Sequence, residues 1–484
     1  MGKKKNKNKV SGAVKTAAKT EKKLANKLKK ELATLGEEDI TKVIAEIERE
    51  EAKRSAAVEK TLPGPPSARA YATLTPHPID NELILFGGEY HNGKQTEVYN
   101  DLLFYNPVTN VWKQVKAPGA PPPRSAHQTV ATQANKGEIW VFGGEFTSPS
   151  ETQFYHYKDL WCFSLANKKW EKVVSPNGPS PRSGHRMVLL ARKLYIFGGY
   201  ADDGRDCRYF DDLYSFCLDT REWQKLNPSG RGPSARSACV MMPFGNDSIV
   251  ITGGFSRVRS GRTERTSTHT DTFRATRTAG GWAWRATGGG ACARAGLACA
   301  VNVHTDRGYV FGGVADTMET EEELQGELSD ELQVVDLATC RWHPLVLKHE
   351  RPPPDAEMTP TPQPTAEDVT VISDDVFTMK LGSAPAPATA SLSVAAPVRA
   401  RSGPGARMSA MLAVQRSMLY VYGGVLEKDD KQFYLSDLYS LDLHKLVDWR
   451  TVIAQPKLPD WFGSDSEDDA SGSESETDDS EDEE

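Results

Sequence analysis

The sequence predicts an all-β fold, a six-bladed β-propeller, with a helical basic arm before it and a disordered acidic tail after it. Three observations carry that prediction. An apolar run ending in Gly-Gly occurs six times, at 83–88, 139–144, 194–199, 249–254, 309–313 and 419–424. The first five pairs lie 56, 55, 55 and 59 residues apart, and the last gap is 111. An Arg, an Asp and a Trp keep step with the glycines in every repeat, as a radial array of identical units requires.

In chain order, the first element is the arm, 1–62. Residues 1–30 hold twelve Lys and one Glu. Leu24, Leu28, Leu32 and Leu35 form one apolar stripe, and Ile40, Val43, Ile44 and Ile47 a second at helical spacing, so 15–60 reads as helix broken near Gly36. Pro63, Pro65 and Pro66 end it. MGKKKNKNKV lacks an apolar signal region, and Asn6 stands where a myristoylation motif needs Ser or Thr. No run approaches the ~18 apolar residues of a membrane helix. Seven scattered cysteines without a CxxC pair argue for a reducing compartment. A cytoplasmic or nuclear protein, not secreted and not membrane-bound, is expected.

The propeller follows at 63–452. Each repeat reads as four strands, A to D. Strand A follows the Arg (69, 124, 182, 236, 294 or 407), and B is the run into Gly-Gly. C follows the Asp (101, 159, 212, 271, 330 or 437), and D carries the Trp (112, 170, 223, 284 or 282, 342, 449). Runs rich in Val, Ile, Tyr and Phe bounded by Gly, Pro and Asn are strand signals. One Trp per repeat can pack between sheets. The fourth repeat, rich in Arg, Thr and Gly, is weakly strand-like, which puts its outer strands in doubt. Residues 346–402 are Pro- and Ala-rich and read as an insertion before the sixth blade rather than a seventh blade; within them VTVISDDVFTMKL could form a hairpin.

The last element, 453–484, holds thirteen Asp or Glu over 460–484 and no base. Its composition cannot support a core. Ser464, Ser466, Ser471, Ser473, Ser475 and Ser480 each precede an acidic residue by three, the pattern that acidophilic kinases prefer. Phosphorylation there would deepen the charge.

These marks, with the blocks ELILFGGEY, WVFGGEF, QFYHYKDLW and PRSGHRM, resemble the kelch-repeat family. The resemblance covers about 65–450 and implies the propeller. Some kelch propellers are copper oxidases of the galactose oxidase type, but the Cys, His and Tyr residues here form no such ligand cluster. Plant specifier kelch proteins use Glu-x3-Asp-x3-His for iron; Glu97, Asp101 and Tyr105 match except that the His is missing. His127 and His185 each stand three residues after a repeat Arg and read as repeat positions. No catalytic residue, cofactor or metal is expected.

The resulting expectation is a non-catalytic interaction scaffold, monomeric, with a protein partner. An alternative is an RNA- or ribosome-associated factor acting through residues 1–35, although no aromatic interleaves the lysines to stack on bases. A galactose-oxidase-like oxidoreductase is the remote alternative. Antiparallel alternation puts the long B–C loops, the D–A loops, the arm and the tail on one face. Loops on a rigid scaffold concentrate binding residues. The candidate contacts are Tyr90, His91, Tyr155, His156, Arg205 and Tyr209, with Arg124, Arg182 and Arg236 beneath. The Arg ring has two readings: guanidiniums that bond carbonyls around the Gly-Gly turns and tie the blades, or a basic channel mouth that receives an acidic peptide or the acidic tail.

Overall fold

A computed structural model of the chain describes residues 38–202, 207–260, 263–288, 290, 293–318, 324–348, 403–428 and 431–458. Six antiparallel sheets succeed one another. Blade 2 shows the plan: strand A Gln128–Thr132, B Glu138–Phe142, C Leu160–Ser164 and D Lys169–Val173, paired in that order. The innermost strands are Thr73–Pro76, Gln128–Thr132, Arg186–Leu190, Val240–Phe244, Ala298–Asn302 and Met411–Gln415. Each touches the next, and the last touches the first, so the ring is closed. The chain is a six-bladed β-propeller.

The core lies between blades rather than within them. Strand B is buried on both faces, which is why it reads as an unbroken apolar run rather than an alternating one. Successive side chains point to opposite faces. Ile139 and Val141 therefore pack with blade 1, while Trp140 and Phe142 pack with blade 3. The repeat Trp of one blade sits on the strand-B aromatic of the blade before it. Trp170 lies 5.3 Å from Phe86, Trp223 5.4 Å from Phe142, and Trp449 6.5 Å from Phe311, centroid to centroid. Trp112 closes the circle against Tyr422, at 5.9 Å.

Each blade takes its four strands from contiguous sequence, so closure exchanges none of them. Across the closing seam Gln415 Nε2 donates to the Asp80 carbonyl at 2.7 Å, and the Tyr422 hydroxyl donates to the Ser67 carbonyl at 3.3 Å. Blade 1 gains a fifth, outermost strand, Val58–Thr61, paired with Val111–Lys116.

Three sequence expectations change. The predicted helix over 15–60 is described from Ile40, and it ends at Ala52; Val58–Thr61 is strand. Blade 4 has full outer strands, Thr272–Thr278 and Gly281–Thr287, because its Thr and Trp residues favour the pleated surface despite the arginines. The B–C connections are two-stranded hairpins rather than loops: Glu89–His91 with Thr96–Val98, Glu145–Thr147 with Phe154–His156, and likewise around the ring. The Leu24–Leu35 stripe, most of the insertion and the acidic serines lie outside the described residues.

Candidate interaction face

In blades 1, 2, 3, 4 and 6 the repeat Arg, Gly-Gly and Asp form a clamp, and in blade 5 Arg294 pairs instead with Glu331. Arg182, fully buried, donates to the Gly198 carbonyl at 3.0 Å and to both oxygens of Asp212, at 2.6 and 3.2 Å. Arg124 does the same to Gly143 and Asp159, Arg236 to Gly253 and Asp271, and Arg407 to Gly423 and Asp437. Burial pushes the Asp159 carboxyl up, but the Arg124 guanidinium outweighs it and holds it below the ordinary range. The Arg main chain supplies the link between blades. The Gly144 N–H donates to the Arg182 carbonyl at 3.0 Å, and the Arg182 N–H to the Tyr157 carbonyl at 3.0 Å. The paired glycines are needed here: Gly143 has φ of +63°, and a Cβ on it would stand 2.8 Å from the Arg182 carbonyl oxygen.

Arg124, Arg182 and Arg236 are therefore spent inside the clamps and do not line the mouth. The basic mouth expected as one of two readings is corrected to the other: guanidiniums buried without their aspartates would carry too great a desolvation cost.

Above the clamps the hairpins form a crown, and most of the candidate contacts tie neighbouring hairpins together. Tyr90 stacks edge-on against Tyr434 of blade 6 at 5.6 Å. His91 Nδ1 meets Thr96 Oγ1 at 2.7 Å, and Thr96 donates to Glu151 of blade 2 at 2.6 Å. His156 Nδ1 lies 2.6 Å from Ser183 Oγ, while its Nε2 accepts from the Asp202 N–H at 3.0 Å. Burial holds the His156 imidazole below its ordinary pKa. Tyr209 packs on Tyr200 and on Phe255 of blade 4. Tyr155 rests on Tyr157 and is 36% exposed, and Phe154 beside it is 50% exposed. Arg205 and residues 1–35 fall outside the described residues.

Helix α1, Ile40–Ala52, lies on this crown. The Asp39 carboxylate caps it by accepting from the Thr41 N–H at 2.9 Å. Ile40 and Ile44 pack on Tyr157 and Phe146. The Ile40 N–H donates to Gln153 Oε1 at 3.1 Å, and Lys172 pairs with Glu48 at 2.9 Å. The helix walls a groove of about 1000 Å³ between blades 2 and 3. Tyr155, Lys158, Val174, Arg208, Trp223 and Lys225 line it, with Val174 92% exposed.

Three residues that follow a Gly-Gly, Glu89, Glu145 and Tyr200, line the central channel, a cavity of about 540 Å³. The residue after each Gly-Gly bridges to the one after a repeat Arg, as in Ser125 with Glu145 and Ser237 with Phe255. Around the ring the six are Glu89, Glu145, Tyr200, Phe255, Val314 and Val425. The acidic mouth this makes is absent from the sequence expectations. Its signal was visible: two GGE triplets where the other repeats have GGY, GGF or GGV. Burial raises the Glu89 carboxyl to about 7, and Glu151 adds to the shift. Burial and then Glu89 raise Glu145 to about 8. The Tyr200 hydroxyl donates to Glu145 Oε1 at 3.0 Å.

Below the rim, His127 and His185 sit edge-on against Phe86 and Phe142 at the blade seams. Burial, then Arg124, lowers His127 to about 3, so it stays neutral. Among the described residues no group of three His, Cys, Asp or Glu gathers to hold a metal, and no helix is long and apolar enough to cross a membrane.

The profile of the KLHDC2/KLHL20/DRC7 Kelch-repeats domain matches residues 72–281. Kelch domain-containing protein 2 of Bos taurus is 27% identical over 202 residues, 37% of this chain and 47% of its own. Host cell factor homolog hcf-1 of Caenorhabditis elegans is 31% identical over 198 residues, covering 37% and 24%. Acyl-CoA-binding domain-containing protein 4 of Arabidopsis thaliana is 30% identical over 177 residues, covering 36% and 24%. The chain spans less than half the length of these curated relatives. With six blades in phase, each built on the same Arg, Gly-Gly and Trp positions, the chain is a six-bladed β-propeller whose repeats are similar to kelch repeats.

Proposed function

We propose that the protein is a non-catalytic interaction scaffold whose protein partner docks on the crown face, over the hairpins of blades 2 and 3. The observation that carries this reading is the pairing of exposed Phe154 and Tyr155 with the adjoining groove, where apolar Val174 and Trp223 lie beside Lys158, Arg208 and Lys225. Aromatic anchors next to a cleft with a charged rim are what hot spots are made of. The opposite face carries short turns, such as 106–110 and 218–222, and a smaller cleft of about 410 Å³ lined by Ile79, Phe104 and Leu165.

The test compares two sets of full-length variants against a partner identified by proximity labelling. Phe154→Ser with Tyr155→Ser should weaken binding by about tenfold or more, since anchor truncation costs roughly 2 kcal/mol. Charge reversal at Lys168 and Asp219, in turns on the other face, should leave affinity unchanged. The reverse pattern would place the site on the other face.

A further inference from the structure

The groove between blades 2 and 3 carries positive charge that its own carboxylates leave unmatched. Among the described residues three carboxylates line it, and each is already held: Glu48 by Lys172, Asp159 by Arg124 and Asp212 by Arg182. Four cations line it, and of these Lys172 alone is engaged in that way. Among the described residues no carboxylate lies within ion-pair distance of Lys158, Arg208 or Lys225, and all three are exposed. Asp211 lines the adjoining cleft between blades 3 and 4, which shares Lys225. Arg208 and Lys225 rest on aromatic rings instead. The Arg208 guanidinium lies 5.3 Å from the Phe210 centroid, and the Lys225 ammonium 5.8 Å from that of Tyr214. Phe210 and Tyr214 share the buried Arg182 guanidinium, at 4.1 and 5.9 Å, so the two surface cations stand on adjacent rings. A ring orients a cation without neutralising it.

Apolar surface accompanies these charges in the same groove. Val174 is 92% exposed, and the Trp223 indole is half-buried. Helix α1 fixes one wall, through Ile44 on Tyr157 and Glu48 on Lys172, so the cleft stands formed before anything enters it. A nucleic acid would match the charge, but three cations are few beside the roughly six to ten phosphate contacts of such a footprint, and phosphates would leave Val174 bare. We infer that the groove takes an extended acidic peptide of a protein partner. An apolar side chain of the peptide covers Val174 and Trp223, and its Asp or Glu carboxylates pair with Lys158, Lys225 and Arg208, the guanidinium offering a two-pronged contact. This rests on the function proposed above, which places a partner on the crown; the charge of the groove states the partner's chemistry.

Panning phage-displayed random peptides of about ten residues, roughly 33 Å when extended, on the full-length protein tests the class without a known partner. The recovered peptides should be enriched in Asp and Glu around an aromatic or branched aliphatic residue. Synthesised with a fluorophore, they should bind about tenfold more weakly to the Arg208→Glu/Lys225→Glu variant, which reverses two exposed charges and leaves the core alone. Binding to the native protein should weaken similarly in about 1 M salt, where the Debye length is about 3 Å, and that measurement needs no variant to fold. Peptides without acidic residues that lose affinity with Phe154→Ser/Tyr155→Ser would overturn the acidic class and leave the crown site standing. Peptides that ignore both variants would overturn it together with the crown reading. Polyuridylate binding that falls with the same charge reversal, with no peptide recovered, would assign the groove to nucleic acid and overturn the proposal as well.

Discussion

Blades 2–3 and blades 4–5 occupy equivalent places in one ring and solve the same seam differently. Between blades 2 and 3 main-chain bonds add to the apolar packing of Trp140 and Phe142: Gly144 donates to the Arg182 carbonyl and Gly184 to Ala126, while Arg182 is locked within its own blade to Asp212. Between blades 4 and 5 the join is made chiefly by side chains. Val240, Met242 and Val250 pack on Leu297, Val310 and Val335, and Arg274 reaches across to the Leu337 and Ala338 carbonyls. Arg294 pairs with Glu331 and is 21% exposed, whereas Arg182 has no exposure. Among the described residues the bond from Ala238 to Gly184 has no counterpart from Gly296 to Ala238. The rim follows suit: Glu145 and Tyr200 on one side, Phe255 and Val314 on the other. Identical repeat phase thus fixes where residues meet, and their chemistry decides how strongly and with what polarity.

The largest contrast should come from the clamps. Arg182→Ala leaves Asp212 unpaired beside buried backbone and should cost about 3–5 kcal/mol in urea unfolding. Arg294→Ala, with a part-exposed partner, should cost less than about 1 kcal/mol. Equal losses would show that the two clamps are equivalent after all. The next contrast is in the packing. Trp223 stacks on both Phe142 and Phe216, so Trp223→Ala should cost about 3 kcal/mol, and Trp342→Ala distinctly less, in the same measurement. Hydrogen exchange sharpens the comparison further: the Gly296 amide should exchange at least about tenfold faster than those of Gly184 and Ala238.

The smallest effect is a pH dependence confined to the acidic side. Glu89 and Glu145 have raised pKa values in the fold, so the folded state binds protons more tightly than the unfolded chain. Their stabilising contribution is present below about pH 4.5 and is lost as pH rises through about 7 and 8. His127 works in the opposite sense between about pH 3 and 6.5 and is silent above that. The melting temperature should therefore fall from pH 6.5 to 8.5, and Glu89→Gln/Glu145→Gln should flatten that slope. An unchanged slope would mean that the mouth carboxyls are solvated.

The ring was legible in the sequence because its marks are positional: a Gly-Gly that no Cβ can replace, a Trp per seam, and an Arg and Asp at fixed offsets. Their pairing was not legible, because spacing shows that Arg182 and Asp212 recur without showing that they meet. The hairpins were read as loops since EFTSPSETQFYHY lacks alternation; they form because each continues strands B and C beyond the Gly-Gly turn. Val58, Glu59 and Lys60 fall within the span 15–60 predicted as helix, and the open edge of Val111–Lys116 makes them strand instead. The placement of Glu89 and Glu145 is not legible in the sequence, because only closure brings them together with Tyr200 on the channel wall.

Because closure exchanges no strand, the ring has no privileged starting point. Each blade is a complete hairpin pair, and outer strands Val58–Thr61 and Arg450–Ile453 belong to blades that are neighbours across the closing seam. The chain could be cut between 348 and 403, its present ends joined by a linker, and the same propeller assembled in a new order, beginning with blade 6. Such circular permutation is tolerated where compact units meet at surface connections. In this sense the architecture depends only on which blade lies beside which.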